Sequence, residues 1–159
     1  MADTLDICAR EMLEVMPLIM QDLRRTMRSQ SAPDLRVPEL RSLAFLRHNP
    51  GSNLTDLAEY IGVSLPSMSK LVDTLTSRGL IERSPDAADR RRVRLGLTEE
   101  GGAILATARE AVKASFAKRL ALLGPQEIET ITASMRLLHQ LFGPATGGDV
   151  FPESLSRTS

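Results

Sequence analysis

The chain has no tryptophan, one tyrosine (Tyr60), one cysteine (Cys8) and two histidines, His48 and His139. Each shortage excludes something. A single thiol permits no intrachain disulfide, and two imidazoles on different segments give no metal-ligand spacing. With so few aromatic rings there is no platform on which the bases of a single strand could stack. A glycine-rich phosphate loop is missing too, because Arg78-Gly79-Leu80 and Glu100-Gly101-Gly102 fall where helices end and begin. Carboxylates are plentiful, but none has a sequence context that would tune it for acid–base work. The chain is therefore read as no enzyme, with no cofactor and no metal. Apolar runs are far too short to span a bilayer. The first six residues are acidic where a signal peptide would be basic, so a cytoplasmic location is expected.

What is present fits one domain with extensions. The 159 residues are 42% hydrophobic and 25% charged, enough to bury a core. A formal net charge of zero would by itself speak against nucleic acid, since DNA affinity rests on cations. The charge is not evenly spread, however. From Ser64 to Thr98, Lys70, Arg78, Arg83, Arg90, Arg91, Arg92 and Arg94 face only Asp73, Glu82, Asp86 and Asp89, a net of +3, and the rest of the chain carries −3. A basic head on an acidic body would be steered onto DNA head first.

The stretch from Asn53 to Thr98 reads as two short helices, a turn and a basic hairpin. Asn53 with Asp56 three positions on is a helix start, and Leu54, Leu57, Ala58 and Ile61 share one face. Gly62 suits a tight turn. Ser64 can cap a second helix with Pro66 in its first turn, where proline costs no hydrogen bond. Met68, Leu71, Val72 and Leu75 face inward at helical spacing. Ser67, Ser69, Lys70 and Thr74 are left off that stripe, with Ser64 and Leu65 at its exposed end, a set suited to a major groove. After Gly79, residues from Ile81 are extended and Pro85-Asp86 opens a loop. Val93, Leu95 and Leu97 then alternate with Arg92, Arg94 and Gly96, which predicts an apolar strand face backed by a basic one. A hairpin with arginines at its tip is a wing.

These residues resemble the MarR family of winged helix-turn-helix regulators. The wing pattern is met by Asp89, Arg91, Val93, Leu95, Leu97, Thr98 and Gly101. The upstream pattern is met by Ser64, Pro66, Leu71, Asp73, Leu75, Arg78, Gly79 and Leu80. The resemblance covers nearly the whole chain except its tail. It implies a mainly α fold with a small β-hairpin wing, the winged helix-turn-helix domain being flanked by N- and C-terminal dimerisation helices. It also implies that Arg91 enters a minor groove while Asp89 holds the hairpin. The expected DNA-binding residues are Ser64, Pro66, Ser67, Ser69, Lys70, Thr74, Asp89, Arg90, Arg91, Arg92 and Arg94.

The flanking segments read as follows. Thr4 to about Ser29 is a long helix with Leu5, Cys8, Met12, Val15, Met16, Ile19, Met20, Leu23 and Met27 on a wide apolar stripe that wants a partner larger than the winged lobe, and Pro17 should bend or split it. A helix from Pro38 carries Leu40, Leu43, Ala44 and Leu46 or Arg47 to a stop at Asn49-Pro50-Gly51. Thr98 caps a helix running to Leu123, whose buried face is Ile104, Ala108, Ala111, Val112, Phe116 and Leu120. A last helix aligns Ile128, Ile131, Met135, Leu138 and Phe142. The expected division is a dimerisation helix and loop at 1–36, the DNA-binding lobe at 37–98, dimerisation helices at 99–143, and a tail of disordered composition at 144–159.

The expected function is that of a dimeric, ligand-responsive repressor of transcription on a pseudo-palindromic duplex operator, the apolar stripes at both chain ends forming the homodimer. The resemblance adds a small aromatic or phenolic anion as effector. Arg41, Arg47 and His48 lie in the right region for it and fit equally well as surface charges. Two alternatives stand beside this reading. One is a winged-helix module that binds protein; the other is a redox-sensing regulator using Cys8, against a bland role for that residue on a buried stripe.

Overall fold

The computed structural model describes residues 2–29, 34–86 and 93–143. Over these, the elements run α1 (Ala2–Met27), α2 (Val37–His48), α3 (Leu54–Ile61), α4 (Leu65–Ser77), β1 (Ile81–Pro85), β2 (Val93–Leu97), α5 (Glu99–Leu120) and α6 (Pro125–Phe142). The mainly helical fold with one hairpin is the expected one.

Local chemistry sets most boundaries. Asn53 accepts a hydrogen bond from the Asp56 N–H at 3.0 Å, and the Asp56 carboxylate accepts from the Asn53 N–H at 3.1 Å, so two free donors at the start of α3 are satisfied reciprocally. Gly62 ends α3 in the left-handed region, φ 80°, which a side chain would strain. Ser64 caps α4, and Thr98 caps α5 ahead of Glu99 and Glu100, whose charges oppose the helix dipole.

The core lies where α2, α3, α4, the hairpin and the first half of α5 converge. Leu43, Leu46, Leu57, Met68, Val72, Leu75, Leu80, Ile81, Leu95 and Leu105 are almost wholly buried there. Strands β1 and β2 pair antiparallel from Ile81 opposite Leu97 to Pro85 opposite Val93. The outer edge of β2 is also used. Gly51 N–H donates to Leu95 O at 3.1 Å and Leu95 N–H to Ser52 O at 2.8 Å, tying the α2–α3 turn to the wing.

Arg78 does structural work that its charge alone did not announce. Glu39, 3% exposed, accepts from the Arg36 N–H at 2.7 Å and from the Arg36 side chain at 2.8 Å. Arg78 Nη1 stands 3.8 Å from the same carboxylate, and its Nη2 donates to Asp34 O at 2.6 Å. The end of α4 is thereby fastened to the start of α2. Arg36 is correspondingly held above the usual guanidinium range by its hydrogen bond to Glu39.

Several sequence expectations need correction. Pro17 does not split α1, which runs as one helix, because helix on both sides is continuous and only one hydrogen bond is forfeited. Within a single chain the stripe on α1 is buried at Met27, half-buried at Met12, Met20 and Leu23, and exposed at Leu5, Cys8, Val15, Met16 and Ile19. On α5 the buried positions are Gly101, Leu105 and Ala108, with Ile104, Ala111, Val112 and Phe116 half-buried and Leu120 exposed. That helix closes at Leu120, with tighter turns carrying the chain through Leu123. The aligned face of α6, read as one that pairs subunits, has no buried residue in a single chain, and Ile128, Ile131, Met135 and Phe142 are exposed. Val93, expected on the apolar face of its strand, is exposed too, since it lies at the wing end of β2 beyond the core. The expected tail at 144–159 lies outside the described residues.

Candidate nucleic-acid interface

Helix α4 buries Met68, Val72 and Leu75 against the core and turns its other face outward. Pro66, Ser67, Lys70 and Thr74 are exposed and Ser69 is half-buried, so the helix brings together the residues proposed as a reading surface. Two of these are internally engaged. Ser64 Oγ accepts from the Ser67 N–H at 3.4 Å and lies 3.0 Å from Ser67 Oγ, and Thr74 donates to Lys70 O at 2.9 Å. Pro66 occupies the first turn, where it starts the helix. Lys70 is exposed on the same face.

The wing stands beside this helix, and an ion pair sets their relation. Arg83 Nη2 of β1 donates to Asp73 Oδ1 of α4 at 2.5 Å. Arg83 thereby offsets the charge of the exposed Asp73 carboxylate on the outer face of α4. Arg94 Nε donates to Asp86 Oδ2 at 2.8 Å, and its guanidinium lies over Gly51, where an added Cβ would come within 3.0 Å of Nη1. Arg94 therefore braces the wing against the α2–α3 turn while staying half-exposed. Asp89, Arg90, Arg91 and Arg92 lie outside the described residues.

The junction behind the wing explains the Leu-Thr and Gly of the sequence pattern. Thr98 Oγ1 donates to Gly79 O at 2.7 Å and accepts from the Gly101 N–H at 3.0 Å, while the Thr98 N–H donates to Leu80 O at 3.3 Å. Gly101 sits so close to this knot that a Cβ there would lie 2.1 Å from Leu80 O. Only glycine lets α5 approach the end of α4 at this distance.

The basic residues of α2 divide. Arg41 is committed to α3: its Nη2 donates to Tyr60 O at 3.3 Å and its guanidinium lies 5.5 Å from the centre of the Tyr60 ring, which itself packs on Phe45. Arg47 is exposed and His48 half-buried at the other end of α2. Sequence reading missed their neighbour Arg109 of α5, because nothing local marks two helices that meet only in the fold. Burial lowers the Arg109 pKa, and repulsion from Arg47 lowers it further. Among the described residues no group of His, Cys, Asp or Glu could hold a metal ion, and no helix is long and apolar enough to cross a membrane.

An exposed second helix, a turn set by glycine and a hairpin braced beside it define the class: a winged helix-turn-helix protein. Comparison with known proteins agrees. The MarR family model matches residues 34–92. The HTH-type transcriptional regulator YfiV of Bacillus subtilis is 30% identical over 105 residues, which span 66% of this chain and 66% of that relative. RV1404 of Mycobacterium tuberculosis has a similar fold, with TM-score 0.76 at 22% identity over 90% of this chain and 97% of that one. A mutant of S. aureus MepR bound to an oligodeoxyribonucleotide aligns with TM-score 0.59 at 21% identity, over 84% and 96% of the two chains. Over residues 34–92 the chain carries the winged lobe of the MarR family of transcriptional regulators.

Proposed function

We propose that this regulator works as a homodimer on a pseudo-palindromic duplex operator and acts as a repressor released by a small aromatic or phenolic anion. The observation that carries the dimer is the apolar surface left on α1 and α6. Leu5, Leu13, Met16 and Leu18 on one helix, and Met135, Leu137, Leu141 and Phe142 on the other, are each about half or more exposed. Such rows of exposed apolar side chains are the kind of surface a second subunit would cover. On this division, 1–36 and 99–143 pair the subunits and 37–98 reads DNA, with Ser67, Lys70 and Thr74 facing base edges and Arg90, Arg91, Arg92 and Arg94 serving the backbone and minor groove.

The effector reading is supported by the cations at the α2–α5 contact. A carboxylate or phenolate there would relieve the repulsion between Arg47 and Arg109 and stabilise the protein to which it binds. Light scattering of the full chain should give twice 17.4 kDa, and Met16→Glu should shift the mass toward the monomer. Selection from a randomised duplex library, read by fluorescence anisotropy, should enrich an inverted repeat. A monomeric mass at micromolar concentration would sink the dimer. Binding with no enriched sequence would sink the operator.

A further inference from the structure

Within 34–86 and 93–98, the large apolar side chains left exposed are Val63, Leu65 and Val93. Val63 and Leu65 flank Ser64 at the start of α4, and Val93 ends β2 at the wing, so they belong to the helix and hairpin assigned to DNA in the reading above. Leu65 is 46% exposed at the first residue of α4, three positions before the buried Met68, and Pro66 adds an exposed ring beside it.

The hydroxyls next to it are partly engaged within the protein. Ser64 caps the helix and lies 3.0 Å from the Ser67 hydroxyl, so part of the hydrogen-bonding capacity of each is spent inside the protein. N-terminal residues of a recognition helix are the ones that reach base edges. What an exposed leucine can recognise there is the C5-methyl of thymine, the one apolar group on the floor of the major groove.

We infer that Leu65 is a specificity-determining residue that packs on a thymine methyl in each half-site. The inference rests on the operator reading above. The polar residues of α4 then meet other base edges, while this contact distinguishes thymine from cytosine and purines at one position. Because Leu65 is already half in solvent, truncating it removes little from the fold.

The experiment uses the full-length protein and the duplex it enriches from a random library. Each thymine is replaced in turn by deoxyuridine, which removes only the methyl. One symmetry-related position should show a loss of about fourfold per methyl, the equivalent of about 0.8 kcal/mol for one buried carbon at 1.4 kcal/mol per tenfold. Leu65→Ala should bind the thymine duplex about as weakly as wild type binds the uracil duplex and should not distinguish the two. Leu65→Met, which keeps an apolar tip, should restore the distinction. Wild type indifferent to deoxyuridine at every position overturns the inference, as does a methyl effect that survives in Leu65→Ala. A library that yields no enriched duplex defeats the operator reading instead, which separates the two failures.

Discussion

Gly101 offers the sharpest test of how the wing is joined to the rest of the molecule. Replacing it by alanine would set a Cβ 2.1 Å from Leu80 O, 2.9 Å from Leu97 Cδ1 and 3.0 Å from Leu80 C. Carbon contacts are comfortable at roughly 3.5 Å or more, so α5 must retreat by about 1 Å. Leu80 O cannot simply yield, because it accepts the Thr98 N–H that holds the hairpin to α5. Overpacking of this kind costs about 1–3 kcal/mol, and the strained backbone hydrogen bond adds about 1 kcal/mol. Against this stands a helix-propensity gain of about 1 kcal/mol for alanine over glycine. The net expectation is a destabilisation of about 1–3 kcal/mol, a fall in melting temperature of roughly 2–12 °C for a chain of this size.

Gly102 supplies the control. A Cβ there would meet only Leu97 Cδ2, at 3.9 Å, so Gly102→Ala should keep the propensity gain and melt about 2–4 °C higher. Both variants are compared with wild type by circular dichroism at one protein concentration, since melting of an oligomer depends on concentration. A Gly101→Ala protein that melts at or above wild type would refute the argument from close approach. Two adjacent glycines in the same helix with opposite signs would be hard to explain by propensity alone.

Asp22 titrates below its ordinary value of 3.8, chiefly through its hydrogen bonds from Arg119, which include Nε donating to Oδ2 at 2.9 Å. A carboxyl lowered in the folded state contributes stability above its unfolded value and loses it as pH falls through the folded one. Asp22→Asn should therefore melt lower than wild type at pH 7, and the gap should close below about pH 4; a gap constant from pH 7 to pH 3 would dismiss the α1–α5 ion pair. Glu39→Ala, which removes the cap of α2 and the anchor of Arg36 and Arg78, should cost about 2–3 kcal/mol in chemical denaturation, and a loss under 0.5 kcal/mol would show that the anchor is idle. Arg91→Ala should weaken binding to all duplexes by about 1–3 kcal/mol with an unchanged melting curve; equal affinity at moderate salt would remove the wing from recognition. Cys8→Ser should leave DNA affinity intact and peroxide should not release DNA from wild type, so oxidant-driven release abolished by the substitution would make the protein a redox sensor.

The sequence alone determined the elements whose causes are local. Asn53, Ser64 and Thr98 mark helix starts because a cap acts within three residues, Gly62 marks a turn because its backbone alone allows it, and the period of Met68, Val72 and Leu75 states which face of α4 is hidden. The reading surface followed by subtraction from that stripe. The tertiary structure decided what depends on approach between distant segments. Arg78 counted as one more cation of the reading head until the fold set it against Glu39 and Asp34, and Arg109 had no sequence mark before α5 brought it to Arg47. Gly101 looked like a helix-start residue, yet its reason is the Leu80 carbonyl. Periodicity foretold apolar faces on α1 and α6 but not their cover, because an amphipathic stripe specifies that something apolar must meet it, while the geometry of the whole chain fixes whether its own core can reach.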